Sequence, residues 1–284
     1  MKIFKAVCVC TLILTFTLSA FSQAADGASA RADAGADAGA DAGRIPVEVK
    51  SKVLFDNGAL DEYTESEYDE SLTNLLMQRR YSASGALLEQ VEYAYPADQN
   101  AVMRKTTRGA DNQIKTQVEY QYNAQGDLLS ETIKNNDGKA VSSYLYSYDA
   151  GRNRTRRVLN NGAGIKMAET AYSYDGKGNI IATETFSGTG QKINSTQIQY
   201  DNAGHLISQK IFSANGRLAS STAVTWDGEN EIVTEQFGPN GELQLRITNE
   251  YGPNGELLKK TIEDLRDNTT QILAYEYIFK PVSR

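Results

Sequence analysis

Few groups in this 284-residue chain could do chemistry. One histidine, His205, follows a turn glycine at a position where comparable stretches carry Asn, Asp, Arg or Glu, which reads as polar strand surface. A Ser-His-Asp triad would have to use it, and no Gly-x-Ser-x-Gly phrase supplies the nucleophile. The two cysteines, Cys8 and Cys10, lie in an N-terminal apolar run and would leave with it, so no thiol nucleophile or thiolate metal site is expected. Carboxylates recur at Asp149, Asp175, Asp201 and Asp227. Two such groups about 5–10 Å apart could serve a glycosidase as acid and base. A residue repeated at every turn is better explained by turn chemistry, with calcium ligation a weaker option because the ligand spacing is sparse. The acidic stretch Asp61–Glu70 reads as a solvated strand pair. No catalytic residue, metal or cofactor is expected.

The carboxylates follow an aromatic column: Tyr68, Tyr95, Tyr122, Tyr148, Tyr174, Tyr200, Trp226, Tyr251 and Tyr277, at intervals of 25 to 27 residues. A period of this size marks a small supersecondary unit stacked in tandem. Each anchor precedes turn-forming residues, a Gly, one residue and then Leu or Ile, as in Tyr174-Asp-Gly-Lys-Gly-Asn-Ile. The same phrase recurs between anchors at Phe212-Ser-Ala-Asn-Gly-Arg-Leu, so one strand plus one turn is the unit. Gly supplies the positive φ that short hairpin loops need. The stretches between turns are rich in Thr, Tyr, Ile and Val and alternate in polarity, as strands with one packed face do. The expected fold is all-β: an antiparallel hairpin meander of about 17 strands, curved or spiralling as a single sheet, with a large closed barrel as the alternative.

Tyrosines pack cores and rims, and they also stack on sugar rings or extended peptides. Anchors two strands apart would stand about 10 Å from one another along the sheet. Tyr122, Tyr148, Tyr174, Tyr200, Trp226 and Tyr251 are therefore the candidate ligand contacts, with a glycan or an envelope protein as partner.

Residues 1–24 read as a signal peptide: Lys2 and Lys5 precede the apolar run, and Ser22-Gln-Ala24 suits a signal peptidase. Residues 25–46 hold three Ala-Asp-Ala-Gly tetrapeptides and read as a disordered linker. Residues 47–284 form the repeat domain, with no transmembrane helix expected in the mature chain. The net charge is −7, and −9 once Lys2 and Lys5 are removed. That disfavours nucleic acid, which is bound through clusters of Lys and Arg. The one dense basic run, Arg152-Asn-Arg154-Thr-Arg156-Arg157, reads as a strand edge protected by charge.

The phrases Tyr200-Asp-Asn-Ala-Gly-His-Leu, Tyr174-Asp-Gly-Lys-Gly-Asn-Ile and Phe212-Ser-Ala-Asn-Gly-Arg-Leu resemble the YD repeat of the RHS family, from about Phe55 to Phe279. The resemblance implies hairpin sheets that spiral, in exported or cell-surface proteins with carbohydrate-binding or contact roles. The Tyr-Asp pair is lost at Tyr95-Pro96 and Tyr251-Gly252, and the chain is short for a family member that encloses a toxin. The expectation is an exported, non-enzymatic β-repeat protein of the bacterial envelope, periplasmic or at the cell surface, with a structural or adhesive role. The alternatives are an outer-membrane barrel and a glycan-active hydrolase.

Overall fold

Alternating runs such as Asn194-Ser-Thr-Gln-Ile-Gln-Tyr200 favour extended backbone because β-branched and aromatic side chains fit a pleated, half-sheltered surface. The computed structural model describes residues 44–96 and 101–281. The expected signal peptide, residues 1–24, and residues 25–43 of the expected linker fall outside the described residues. The strands are β1 (Arg44–Phe55), β2 (Leu60–Tyr68), β3 (Leu75–Ser82), β4 (Leu87–Ala94), β5 (Arg104–Gly109) and β6 (Ile114–Tyr122). They continue with β7 (Leu128–Asn135), β8 (Ala140–Tyr148), β9 (Arg154–Asn161), β10 (Lys166–Tyr174), β11 (Ile180–Ser187) and β12 (Lys192–Tyr200). The last six are β13 (Leu206–Ser213), β14 (Leu218–Asp227), β15 (Asn230–Phe237), β16 (Leu243–Tyr251), β17 (Leu257–Asp264) and β18 (Thr269–Pro281). β1 takes in Arg44, Ile45 and Pro46, which the sequence assigns to the linker.

Every strand pairs antiparallel with its sequence neighbours, and β1 pairs along its length with β18, from Arg44↔Pro281 to Phe55↔Gln271. The 18-stranded sheet therefore closes on itself. The hairpin meander is the expected one. Of the two ways to finish it, the closed barrel forms, with one strand more than the repeat count suggests. An all-antiparallel ring needs an even number of strands, because the first and last must also run in opposite directions.

Each anchor lies at or near the C-terminal end of an even-numbered strand, so all of them stand toward one end of the barrel. The turns there share a construction. In the β10–β11 hairpin the Gly178 amide donates to the Asp175 carbonyl at 3.2 Å, and the Asp175 amide donates to the Asn179 carbonyl at 2.9 Å. Gly178 has φ +88°, where a Cβ would be strained. Asp175 Oδ1 accepts from the amides of Lys177 (2.8 Å) and Asn179 (2.9 Å). Directly after the turn the register slips: Ser173 opposes Ala182 and Tyr174 opposes Ile180, leaving Ile181 as a bulge residue. Most ladders carry such a slip, at both ends of the barrel. Bulges sharpen the local right-handed twist, and repetition turns that into the curvature that closes the wall.

The bulge residues Leu76, Leu129, Ile181, Ile207 and Leu258 ring the anchor end, and Val141, Met167 and Ile193 ring the other, all exposed. The face opposite to the anchors is the more exposed in strands such as β12, where Gln197 and Gln199 are exposed while Ile198 and Tyr200 are half-buried. On a curved wall side chains shelter one another on the concave side, so the anchors point inward. Among the described residues each strand meets only its two ladder neighbours, and no large side chain is fully buried. A ring of this strand number leaves a lumen too wide for side chains to fill.

Candidate binding surface on the inner wall

The inner rim is a row of latches. Tyr200 Oη donates to the Ile180 carbonyl at 3.0 Å, in each case twenty positions back along the chain. Tyr122 reaches Val102 at 3.1 Å, Tyr148 reaches Leu128 at 2.8 Å and Tyr174 reaches Arg154 at 2.7 Å. Tyr251 reaches Glu231 at 2.9 Å, and Tyr95 and Tyr277 reach Leu75 and Leu257 at 2.9 and 2.8 Å. Trp226 keeps the same bond with a different group, its Nε1 donating to the Leu206 carbonyl at 2.8 Å. Except at Val102, the acceptor sits beside a bulge, where the ladder is interrupted and a carbonyl needs another donor. Burial raises the Tyr174 pKa to about 12 against the nearby Arg154 charge, and pushes Tyr277 to about 12. All six candidate contacts lie in this row, with their polar atoms engaged by backbone and part of each ring facing the lumen.

The recurrent aspartates are turn groups. Asp149 Oδ1 accepts from the Asn153 amide at 2.8 Å, and Asp201 Oδ1 from the amides of Gly204 and His205, each at 2.8 Å. These bonds hold Asp149, Asp175 and Asp201 below the usual carboxylate range, led respectively by the Asn153 amide, the Asn179 side chain and the His205 amide. Asp227 differs, since the β14–β15 turn is tighter and pairs Asp227 directly with Asn230.

His205 is more than solvated strand surface. Its ring stacks on Trp226 at 4.7 Å and 15°, with Nδ1 3.0 Å from Asp201 and Nε2 3.3 Å from Glu229. Burial opposes the charge on His205, and the Glu229 and Asp201 carboxylates outweigh it, so its pKa is raised. The sequence hint was the aromatic one residue type out of line: the only Trp in the column stands opposite the only His.

The basic run divides between the two faces of β9, and ring closure leaves it with no sheet edge to protect. Arg152, at φ +65° in the turn, binds Asp127 through Nε at 2.8 Å and the Gln125 carbonyl at 2.8 Å. Arg156 points outward to Glu169 at 2.6 Å. Arg154 and Arg157 point inward, opposite Tyr148 and Tyr146 in the β8–β9 register. The Arg154 guanidinium lies 4.5 Å from the Tyr146 ring centre and 6.0 Å from that of Tyr148, and Arg157 lies 5.3 Å from that of Tyr144. Tyr146 Oη donates to Glu131 at 2.5 Å, and its pKa is raised well above the ordinary phenol value, first by burial and then by that carboxylate. On β10, Tyr172 is buried at 8% exposure. Its Oη and the Nε of Arg154 are both buried without a hydrogen-bond partner. Two cations, one carboxylate and four tyrosines thus share one patch of inner wall. Sequence reasoning read the anchors as contacts and Arg154 and Arg157 as part of a charge-protected strand edge, because it had no means of pairing β8 with β9 residue by residue.

These features define a class: a closed, all-β, 18-stranded antiparallel repeat barrel with polar groups on its inner wall. No protein-family model matches the chain, and no relative was found among curated proteins. Among solved structures it is similar to a porin-like protein from Bacteroides uniformis, at 11% identity and TM-score 0.43, covering 82% of this chain and 98% of that one. A porin-like protein from Bacteroides vulgatus shows 12% identity and TM-score 0.34, with 81% and 98% covered. A chain of the Photorhabdus luminescens Tc holotoxin pore shows 16% identity and TM-score 0.34; the match covers 79% of this chain but spans only 16% of the toxin chain. These scores are low, and the architecture rests on this chain's own ladders.

Proposed function

We propose that this chain is an exported, non-enzymatic YD-repeat barrel of the cell envelope, standing in water and offering its inner wall as a contact surface for a glycan or an envelope protein. The observation that carries the reading is the outer face between the two rings of bulge residues, where charge pairs break up any apolar band. Lys50 meets Glu65 at 3.0 Å, Arg79 meets Glu67 at 2.9 Å, Arg246 meets Glu235 at 2.7 Å and Lys259 meets Glu250 at 2.8 Å. Alternation places all eight side chains outward. A lipid-facing wall needs an unbroken apolar band, and charges at its midplane cost several kcal/mol each. Export is supported by the residues of the leader.

A second reading, an outer-membrane barrel, is favoured by ring closure with an even strand number. Fractionation of producing cells, with proteolysis of intact cells, separates the two. Release into detergent-free buffer with the periplasmic or culture fraction supports the aqueous barrel. Co-sedimentation with outer membrane and extraction only by detergent replaces it with the membrane reading.

A further inference from the structure

The inner wall is built to one pattern except at β9. The residue whose carbonyl receives each latch is aliphatic in sister strands, at Leu75, Leu128, Ile180, Leu206 and Leu257. In β9 it is Arg154, and in β15 it is Glu231. Glu231 has an internal partner, accepting from the Thr234 hydroxyl at 2.5 Å. Arg154 has none of opposite charge among the described residues, and one of its buried donors is unused. Its neighbour Arg157 likewise faces only aromatic rings and the Thr170 column. A cation in a repeat position that sister strands fill with an aliphatic side chain loses hydration, and the neighbouring tyrosine rings offset only part of that loss. The β8 partner is equally out of pattern. Tyr144 stands where sister strands carry Val118, Thr170, Thr196 and Thr222.

We propose that Arg154 and Arg157, with the Tyr172 hydroxyl, form a binding site for an oxyanion, a carboxylate or a phosphate carried by a ligand entering the lumen. Guanidinium groups bind such anions in forked geometry, more strongly than neutral donors do. The three aromatic faces of Tyr144, Tyr146 and Tyr148 hold the guanidiniums in place from behind. Glu131 leaves the patch with one net positive charge and limits it to one anionic group at a time. The site deepens the reading of the inner wall as a contact surface and rests on it, but anion binding by purified protein is measured independently of where the cell places the barrel.

Purified protein is titrated with inorganic phosphate, with glucuronate and with neutral glucose, and binding is followed by tyrosine fluorescence and calorimetry. Saturable binding of phosphate or glucuronate is expected, with no response to glucose. Response to phosphate alone assigns the site to tetrahedral oxyanions, and response to glucuronate alone assigns it to carboxylates of sugar acids. Arg157→Gln and Arg154→Leu should each weaken binding by about tenfold or more, the loss of a charge-assisted bond. Arg156→Gln, on the outer face, should leave it unchanged. Arg154→Leu restores the residue type of the sister strands and is expected to fold; should it not, Arg157→Gln decides. The proposal is overturned if neither anion binds saturably, if glucose binds as well as glucuronate, or if both inner-wall variants bind as the parent does.

Discussion

The β8–β9 and β12–β13 hairpins have the same backbone and different inner walls. In both, a tyrosine ends the even strand, a bulge follows the turn, and the phenol is latched to a carbonyl twenty positions back. Facing the lumen, however, β8–β9 presents Tyr144, Tyr146, Arg154 and Arg157, whereas β12–β13 presents Thr196, Ile198, Leu206 and Gln209. Turn, bulge and latch satisfy backbone groups and therefore repeat. The side chains between them carry no such duty in a wall whose opposite sides do not touch, so they are free to become a site.

Exchanging or removing units tests that division. Deleting 175–187 removes one strand and leaves an odd number, so β1 and β18 would meet in parallel and the ring could not close as an antiparallel sheet. Complete loss of folded, soluble protein is expected by size-exclusion chromatography. Deleting 175–200 leaves sixteen strands, an even number, and joins Tyr174 to Asp201 with the faces of later strands unchanged. A folded barrel with a lower melting temperature is expected, because strand number and shear are coupled in a closed wall. If both deletions fold equally well, closure is not what holds the molecule.

If the latch is a backbone device, it should contribute alike in both hairpins. Trp226→Ala, which removes latch and ring together, should cost about 3 kcal/mol. Tyr148→Phe and Tyr200→Phe should each cost about 1 kcal/mol, the value of a hydrogen bond to a sheltered carbonyl. Denaturant unfolding checks both, and a large difference between the two Phe variants would show that the hairpins are not equivalent. Smaller still is the effect of Arg154→Leu. Stability should stay level or rise by up to about 1 kcal/mol, since an aliphatic side chain replaces a poorly compensated buried charge. A marked fall would mean that Arg154 is part of the scaffold.

The smallest effect concerns His205. Its folded pKa is raised, so its contribution is fully present below the unfolded value of 6.5 and is lost as pH rises through the folded one. The difference in melting temperature between parent and His205→Gln should be larger at about pH 5.5 than at about pH 8.5, and a pH-independent difference would leave only the stack on Trp226.

Strand, turn and face were legible because each is a local property. Gly178 marks its turn through φ, Asp175 caps it, and Trp226, Val224 and Thr222 share a face by alternation alone. His205 was less legible: its polar column suggested an exposed ring, whereas Asp201 four residues back and Glu229 in the next turn enclose it on either side. Arg154 and Arg157 were hidden for a similar reason, since their meaning depends on which residues of β8 stand opposite.

What the sequence by itself determined is the period, the hairpin order and the inside–outside parity, all of which follow from bonds and contacts within one or two strands. Closure is different in kind. It depends on curvature summed over bulges in most of the ladders until β1 meets β18, and no single unit contains that sum. Only the tertiary structure decided that the anchors face a lumen, that the basic run has no edge to guard, and that two arginines share one inward face, with a buried Nε of Arg154 left unbonded among the described residues.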